Sequence, residues 1–173
     1  HSTVDAVAEG AYRLDAQGSR LVRTLAGLEP VEAGVVSWGP YSVHSDAFQL
    51  DCRWRLSCGV VLKEGGLLSN QNLLANCTLP LVFHGWMRER NATALAVEYF
   101  ERAGIASELE KLAAWASDEA RKLSLLIRAL LVQPQMLLLE EPMQNLGSQG
   151  TQAFLSLLHW HQTDFGLRLV IVG

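Results

Sequence analysis

Three short runs along the chain are dense in aliphatic residues and bounded by polar residues, Gly or Pro: Cys58-Gly-Val-Val-Leu-Lys63, Met136-Leu-Leu-Leu-Glu140 and Leu167-Arg-Leu-Val-Ile-Val172. A strand with one wet face alternates apolar and polar side chains, whereas a continuous apolar run predicts a strand covered on both faces, as in a parallel sheet. The segments around them carry helical spacing. From about Ser19 to Leu28, Leu21, Val22, Leu25 and Leu28 recur on one face, with Gly27 placed to stop the helix. Residues 91–103 bring Leu95, Tyr99 and Phe100 together before Gly104. Ser117 is an N-cap candidate with Asp118 and Glu119 in the first turn, and Leu123, Leu126, Ile127 and Leu130 form the stripe that follows, up to Pro134. Residues 152–161 predict another amphipathic helix, with Phe154, Leu155, Leu158 and Trp160 inward.

Helix, turn, aliphatic strand, acidic end, helix and aliphatic strand is the order of an α/β unit. The expected architecture is a partly parallel sheet with flanking helices, in one domain over residues 1–173. A small helical subdomain is expected from about Ser69 to Trp115. In such sheets ligands bind beyond the carboxyl ends of the strands, where Glu140 and Glu141 fall.

Composition narrows the class. The chain has 173 residues, 49% of them hydrophobic and 18% charged, which suits a folded globular domain with its own core. No apolar run reaches the length needed to cross a bilayer and the N-terminus lacks the order of a secretory signal, so a cytoplasmic protein is expected, either free or peripheral on the inner face of the plasma membrane. A net charge of −4 offers no basic field for a phosphate backbone, so no nucleic acid partner is expected. Cys52, Cys58 and Cys77 are odd in number and lack paired spacing, and His84, His159 and His161 share no ligand geometry, so no metal site is expected from them. Asn76-Cys-Thr and Asn91-Ala-Thr match a glycosylation acceptor pattern that recurs by chance.

Several segments together resemble the ATP-binding subunits of ABC transporters over nearly the whole chain. Residues 21–34 resemble the helix and turn that follow the family's phosphate loop, 59–70 its strand and glutamine loop, and 73–81 the start of its helical subdomain. Residues 126–142, ending Leu137-Leu-Leu-Glu-Glu-Pro142, resemble the helix after the signature and the Walker B strand. The stretches 67–70 and 76–81 are most similar to the branch that serves bacterial lipid importers working with MCE proteins. The resemblance implies a P-loop NTPase fold, head-to-tail dimerisation, and a membrane permease as partner.

The same alignment shows departures. The phosphate loop GxxGxGK[ST] curls backbone N–H groups around phosphates while its lysine neutralises them. Here Gly18 stands at the lysine position, Ser19 at the hydroxyl position and Arg20 next, behind a shortened stretch containing Asp15 and Gln17. The family's metal-contacting glutamine falls at Lys63. Its LSGGQ signature aligns with Ala116-Ser-Asp-Glu-Ala120, keeping Ser117 alone and turning two carboxylates toward a γ-phosphate. The Walker B aspartate becomes Glu140, the catalytic glutamate position survives as Glu141, and the D-loop aspartate reads as Gly147.

These losses lead to the expectation of a non-hydrolysing subunit, with Glu141 a vestigial catalytic residue and Gly18, Ser19, Arg20, Lys63, Ser117 and Glu140 vestiges of a nucleotide site. No cofactor is then expected, and ATP with magnesium belongs to the alternative, an ATPase whose missing charge comes from Lys63 or Arg20. Either way the partner is a membrane permease subunit or another ABC-type ATPase subunit, a homodimer included. Lys63 is expected to pair with Glu140 or Glu141 in place of magnesium. Exposure of Trp86 or Trp115 would mark a docking surface.

Overall fold

The computed structural model describes residues 10–13, 18–31, 33–38, 41–42, 57–167 and 169–172. Strand β1 is Gly10–Arg13, and helix α1 is Gly18–Leu25. A two-stranded antiparallel ribbon, β2 (Ser37–Trp38) and β3 (Tyr41–Ser42), precedes β4, Cys58–Val61. Helices α2 (Leu73–Phe83), α3 (Glu89–Arg102) and α4 (Asp118–Leu131) separate β4 from β5, Met136–Leu139. Helix α5 (Ser148–Asp164) and strand β6 (Leu169–Val172) follow.

The main sheet has the order β1-β6-β5-β4, with every pairing parallel. All four residues of β5 are buried, as its uninterrupted aliphatic run requires. Alternation still operates along it, because each successive side chain points to the opposite face. Leu137 and Leu139 join the large core formed with α2 to α5, while Met136 and Leu138 join Val22 of α1 in a smaller core on the other face. Gly59 in β4 is a point of close approach: a Cβ there would lie 2.7 Å from Leu137 Cδ1 and 3.1 Å from the Ala129 carbonyl oxygen of α4. The missing side chain lets α4 seat directly against the strand.

Helix α4 follows the expected stripe, with Leu123, Leu126, Ile127 and Leu130 fully buried. Ser117 caps it by accepting the Ala120 amide at 3.1 Å, and Asp118 and Glu119 lie in the first turn, where the helix dipole favours negative charge. The first helix is shorter than its apolar spacing suggests. It ends at Leu25, Gly27 takes φ 71°, and Leu28 lies beyond the helix, half exposed.

The stripe on α5 is Phe154, Leu157, Leu158 and His161, an i, i+3, i+4, i+7 set. Leu155, expected inward, is 51% exposed because it lies a quarter turn off that stripe. His161 is fully buried and its Nε2 is 2.6 Å from the Tyr99 hydroxyl of α3. Trp160 completes the α3–α5 contact, its ring 4.9 Å from that of Tyr99 with the Arg102 guanidinium 4.0 Å above it.

Asn76 is buried in α2 and spends its amide on the preceding turn, accepting the Leu68 amide at 2.7 Å and donating to the Leu68 carbonyl at 3.0 Å. The acceptor-pattern asparagine is therefore a structural fastener. Cys58 and Cys77 are free thiols, while Cys52 lies outside the described residues. Among the described residues no helix is long and apolar enough to cross a membrane, and no cluster of three His, Cys, Asp or Glu side chains is placed to hold a metal.

Candidate functional site

Parallel strands all finish on one edge of their sheet, so the residues just after β4 and β5 are neighbours whatever their distance in sequence. Lys63 and the pair Glu140-Glu141 meet there. The Glu140 amide donates to the Val61 carbonyl at 2.9 Å, extending the ladder by one bond, and the chain then turns sharply at Glu141, whose φ is 40°. A left-handed backbone is uncommon for a residue with a side chain and stores local strain that packing must hold, a pattern frequent at functional sites.

Glu140 is nearly buried and has a full set of partners. Ser19, at the start of α1, donates its hydroxyl to Oε1. The Lys63 amide donates to Oε2 at 3.1 Å, and Arg23 Nε lies 3.3 Å from Oε1. Burial alone would raise this carboxyl's pKa, but the Ser19 and Lys63 hydrogen bonds and the charges of Arg23 and Lys63 outweigh it and leave it below the ordinary value. Glu141 is more exposed and receives the Lys63 ammonium at 3.0 Å. That contact raises the lysine pKa, so Lys63 stays charged.

The site thus gathers Ser19, Lys63, Glu140 and Glu141 from the residues marked in the sequence, and Gly18 sits buried at the first position of α1. Arg20, more than half exposed, pairs with Glu29 at 3.8 Å. The cation that reaches Glu140 is Arg23, which the sequence reading did not single out. Its signal was spacing, since residue 23 lies one turn after Ser19 on the same helical face. Ser117 is engaged as a cap. The two acids after it do not turn toward a phosphate position either: Asp118 pairs with Arg121, and Glu119 accepts the Gly147 amide at 3.2 Å, so it caps α5, whose own N-cap residue has no side chain. Residues 14–17, with Asp15 and Gln17, lie outside the described residues.

The pairing of Lys63 with Glu141 is present, but the oxygen donors it leaves beside Ser19 still suit a magnesium ion. A hydroxyl and a carboxylate at bonding distance are hard ligands of the kind magnesium takes, one or two from protein and the rest from water and phosphates. Arg23 Nε is buried and has no aligned hydrogen-bond acceptor, so an N–H donor waits at the same spot. Over the wider cluster, among the described residues, the four carboxylates Glu29, Glu64, Glu140 and Glu141 lie with the four cations Arg20, Arg23, Lys63 and Lys122.

No family model matches the chain. Among curated proteins it is 28% identical over 160 residues to the methionine import ATP-binding protein MetN of Bartonella henselae, covering 92% of this chain and 46% of the relative. It is 26% identical over 153 residues to the lipoprotein-releasing system ATP-binding protein LolD of Francisella tularensis subsp. holarctica, covering 88% of this chain and 66% of the relative. The chain thus spans about half the length of the methionine-import relatives it matches, 46% in the first case. Among solved structures it is similar to the dimeric post-hydrolysis state of the ATP-binding cassette MJ0796 bound to ADP and Pi, with TM-score 0.79 and 21% identity over 94% of this chain and 72% of that one. A second dimeric structure of MJ0796, described as a bacterial ABC transporter cassette, gives TM-score 0.78 at 22% identity, over the same 94% and 72%.

At such identities the structural likeness speaks for the fold alone. The names of the sequence relatives say more, and they overturn the expectation of a site without a cofactor: these are ATP-binding proteins. The chain has the fold of an ABC ATPase cassette and is a relative of the ATP-binding subunits of ABC transporters.

Proposed function

We propose that this chain is the ATP-binding module of a membrane transport complex and takes ATP with magnesium at the carboxyl edge of its sheet through altered contacts. The observation that carries this reading is the hydrogen bond of the Ser19 hydroxyl to Glu140, two oxygen ligands held together by α1 and β5 although Gly18 replaces the lysine between them and the phosphate loop. Magnesium, when bound, would neutralise phosphate charge and tie the nucleotide to the protein. Ser19 and Glu140 would hold it, Arg23 supplies the nearest side-chain N–H, and the backbone at Gly18 and Ser19 opens α1 with donors unpaired within the helix.

Hydrolysis needs a base free to accept a proton from water. Glu141 stands at that position but is engaged by Lys63 at 3.0 Å. As long as the ion pair holds, Lys63 occupies the Glu141 oxygen that would orient the attacking water, and turnover is slow. This contact also favours a second reading, a subunit that binds nucleotide without hydrolysing it and regulates an active partner. A permease or a second ATPase subunit, a copy of this chain included, is the partner under both, with the helices between residues 69 and 115 as the domain's helical subdomain.

Binding of a fluorescent ATP analogue, followed by anisotropy with magnesium and with EDTA, tests the shared claim. Magnesium-dependent binding lost in Ser19→Ala supports it, and equal signals with and without the metal refute it. Phosphate release separates the two readings. Lys63→Gln raises it severalfold if the ion pair throttles hydrolysis, and leaves it at background if the subunit is regulatory.

A further inference from the structure

Lys122 is a lysine in an unusual place. It lies on the buried face of α4, one turn ahead of Leu126 and two ahead of Leu130, and is only 4% exposed. Lysine is rarely buried unless its charge is met. Here its ammonium reaches out of the helix and donates to two consecutive carbonyls, Leu62 at 3.3 Å and Lys63 at 3.1 Å. Burial lowers its pKa, while the charges of Glu140 and Glu141 act in the opposite direction.

The two carbonyls belong to the segment on which the carboxylates depend. The Lys63 amide holds Glu140, and the Lys63 side chain holds Glu141. A segment just past the end of a strand has no ladder partner to fix it, so its position is set by whatever satisfies its carbonyls. Lys122 does so from behind. The first turn of the same helix carries Glu119, which holds the Gly147 amide, so one rigid element touches the backbone after β4 and the start of α5 together.

We propose that Lys122 is a positioning residue for the carboxylate pair: by clamping the Leu62 and Lys63 carbonyls it presents the Lys63 amide to Glu140 and the Lys63 ammonium to Glu141, and so couples the start of α4 to the state of the site. The inference deepens the proposed function, in that the Lys63–Glu141 contact it controls is the one taken there to restrain hydrolysis. The clamp itself needs no nucleotide.

Its test also needs none. An amine reacts with acetic anhydride when its nitrogen is free, and Lys63 Nζ is held by Glu141 at 3.0 Å. Labelling is read by mass spectrometry at Lys63 and, as an internal reference, at Lys111, which pairs with Glu108. Lys122→Met raises the labelling rate of Lys63 about threefold to tenfold, the change expected when a modest ion pair is broken and the amine is released. Lys111 does not change, and Glu141→Gln on its own gives the same increase at Lys63. Lys122→Arg, which keeps charge and donors, stays close to the native rate; a residue that merely filled space would be disturbed more by the larger arginine.

Unchanged Lys63 labelling in folded Lys122→Met overturns the proposal, as does an equal rise at Lys111. Should the Met variant fail to fold, Lys122→Gln keeps a donor without the charge. It is expected to give an intermediate rate, and a native rate in it refutes the role of the ammonium. If nucleotide binding fails while labelling responds as described, the proposed function falls and the clamp stands.

Discussion

The buried His161 gives the sharpest test of how the helices pack on this sheet. Its ring is inside the α3–α5 contact, with Nε2 2.6 Å from the Tyr99 hydroxyl and Nδ1 without any hydrogen-bond partner. Whichever nitrogen carries the proton, a second proton would bring a charge into an aromatic cluster of Tyr99, Trp160 and Phe165. Burial therefore lowers the imidazole pKa to about 4, against a small opposing pull from Asp164. Arg102, stacked over Trp160, and Glu98, which pairs with it at 2.9 Å, also face the cluster.

The sign follows from proton counting. Between pH 6.5 and about 4 the unfolded chain binds a proton on this residue that the folded chain refuses, so stability is fully present above pH 6.5 and is lost as the pH falls toward 4. An interval of roughly 2.5 units corresponds to about 3 kcal/mol, a substantial part of a domain's stability. Urea unfolding of the native protein and of His161→Gln, followed by tryptophan fluorescence from pH 7.5 to 4, measures it. The native midpoint should fall with pH by an extra 2 to 3 kcal/mol relative to the variant, which has nothing to titrate there. Parallel profiles would refute the burial of a neutral histidine between α3 and α5.

Three other outcomes follow from the packing and the site. Glu140→Gln should cost about 2 kcal/mol at pH 7, since charge-assisted bonds from Ser19 and the Lys63 amide are weakened. Because the folded pKa of Glu140 is depressed, that difference is present above the ordinary carboxyl pKa and should shrink as pH falls below it in denaturation profiles. Gly59→Ala should lower stability by about 1–3 kcal/mol, because the new methyl meets Leu137 and the Ala129 carbonyl; a neutral effect in thermal melts would contradict the close seating of α4. In Gly150→Ala the new Cβ would fall 2.5 Å from Glu119 Cδ and displace the carboxylate that caps α5. That variant should lose stability in the native background yet gain up to about 1 kcal/mol in a Glu119→Ala background, where only alanine's helix preference remains. The absence of such coupling in a double-mutant cycle would count against the cap.

The parts of this structure that could be read from sequence are those governed by local pattern. Met136-Leu-Leu-Leu is apolar without a break and is buried on both faces, and the stripe of α4 emerges residue for residue because Ser117 fixes where the helix starts. Leu155 was misplaced since, with an apolar residue at nearly every position of 154–158, the run supports two stripes, and only His161 at the far end decides between them. The site was half legible. Residues adjacent to the strand ends, Lys63, Glu140 and Glu141, meet because a parallel sheet requires it. Arg23 and Lys122 were missed because a charged residue within a helical pattern is read as solvent-facing, although Lys122 falls in register with Leu126 and Leu130. The partnership of Tyr99 with His161 spans 62 residues, and nothing local to either announces it. Comparison with a motif also misled in one respect: counting lost phosphate-loop residues implied a site without a cofactor, whereas the sequence relatives are ATP-binding proteins.

Calorimetric titration of the protein with ATP, with magnesium and with EDTA, addresses the central claim most directly. Saturable heat that requires magnesium and weakens about tenfold or more in both Ser19→Ala and Glu140→Gln is the expected result, each change removing one oxygen ligand. No heat at millimolar ATP with magnesium, from protein whose native fold is verified in the same sample, would contradict it.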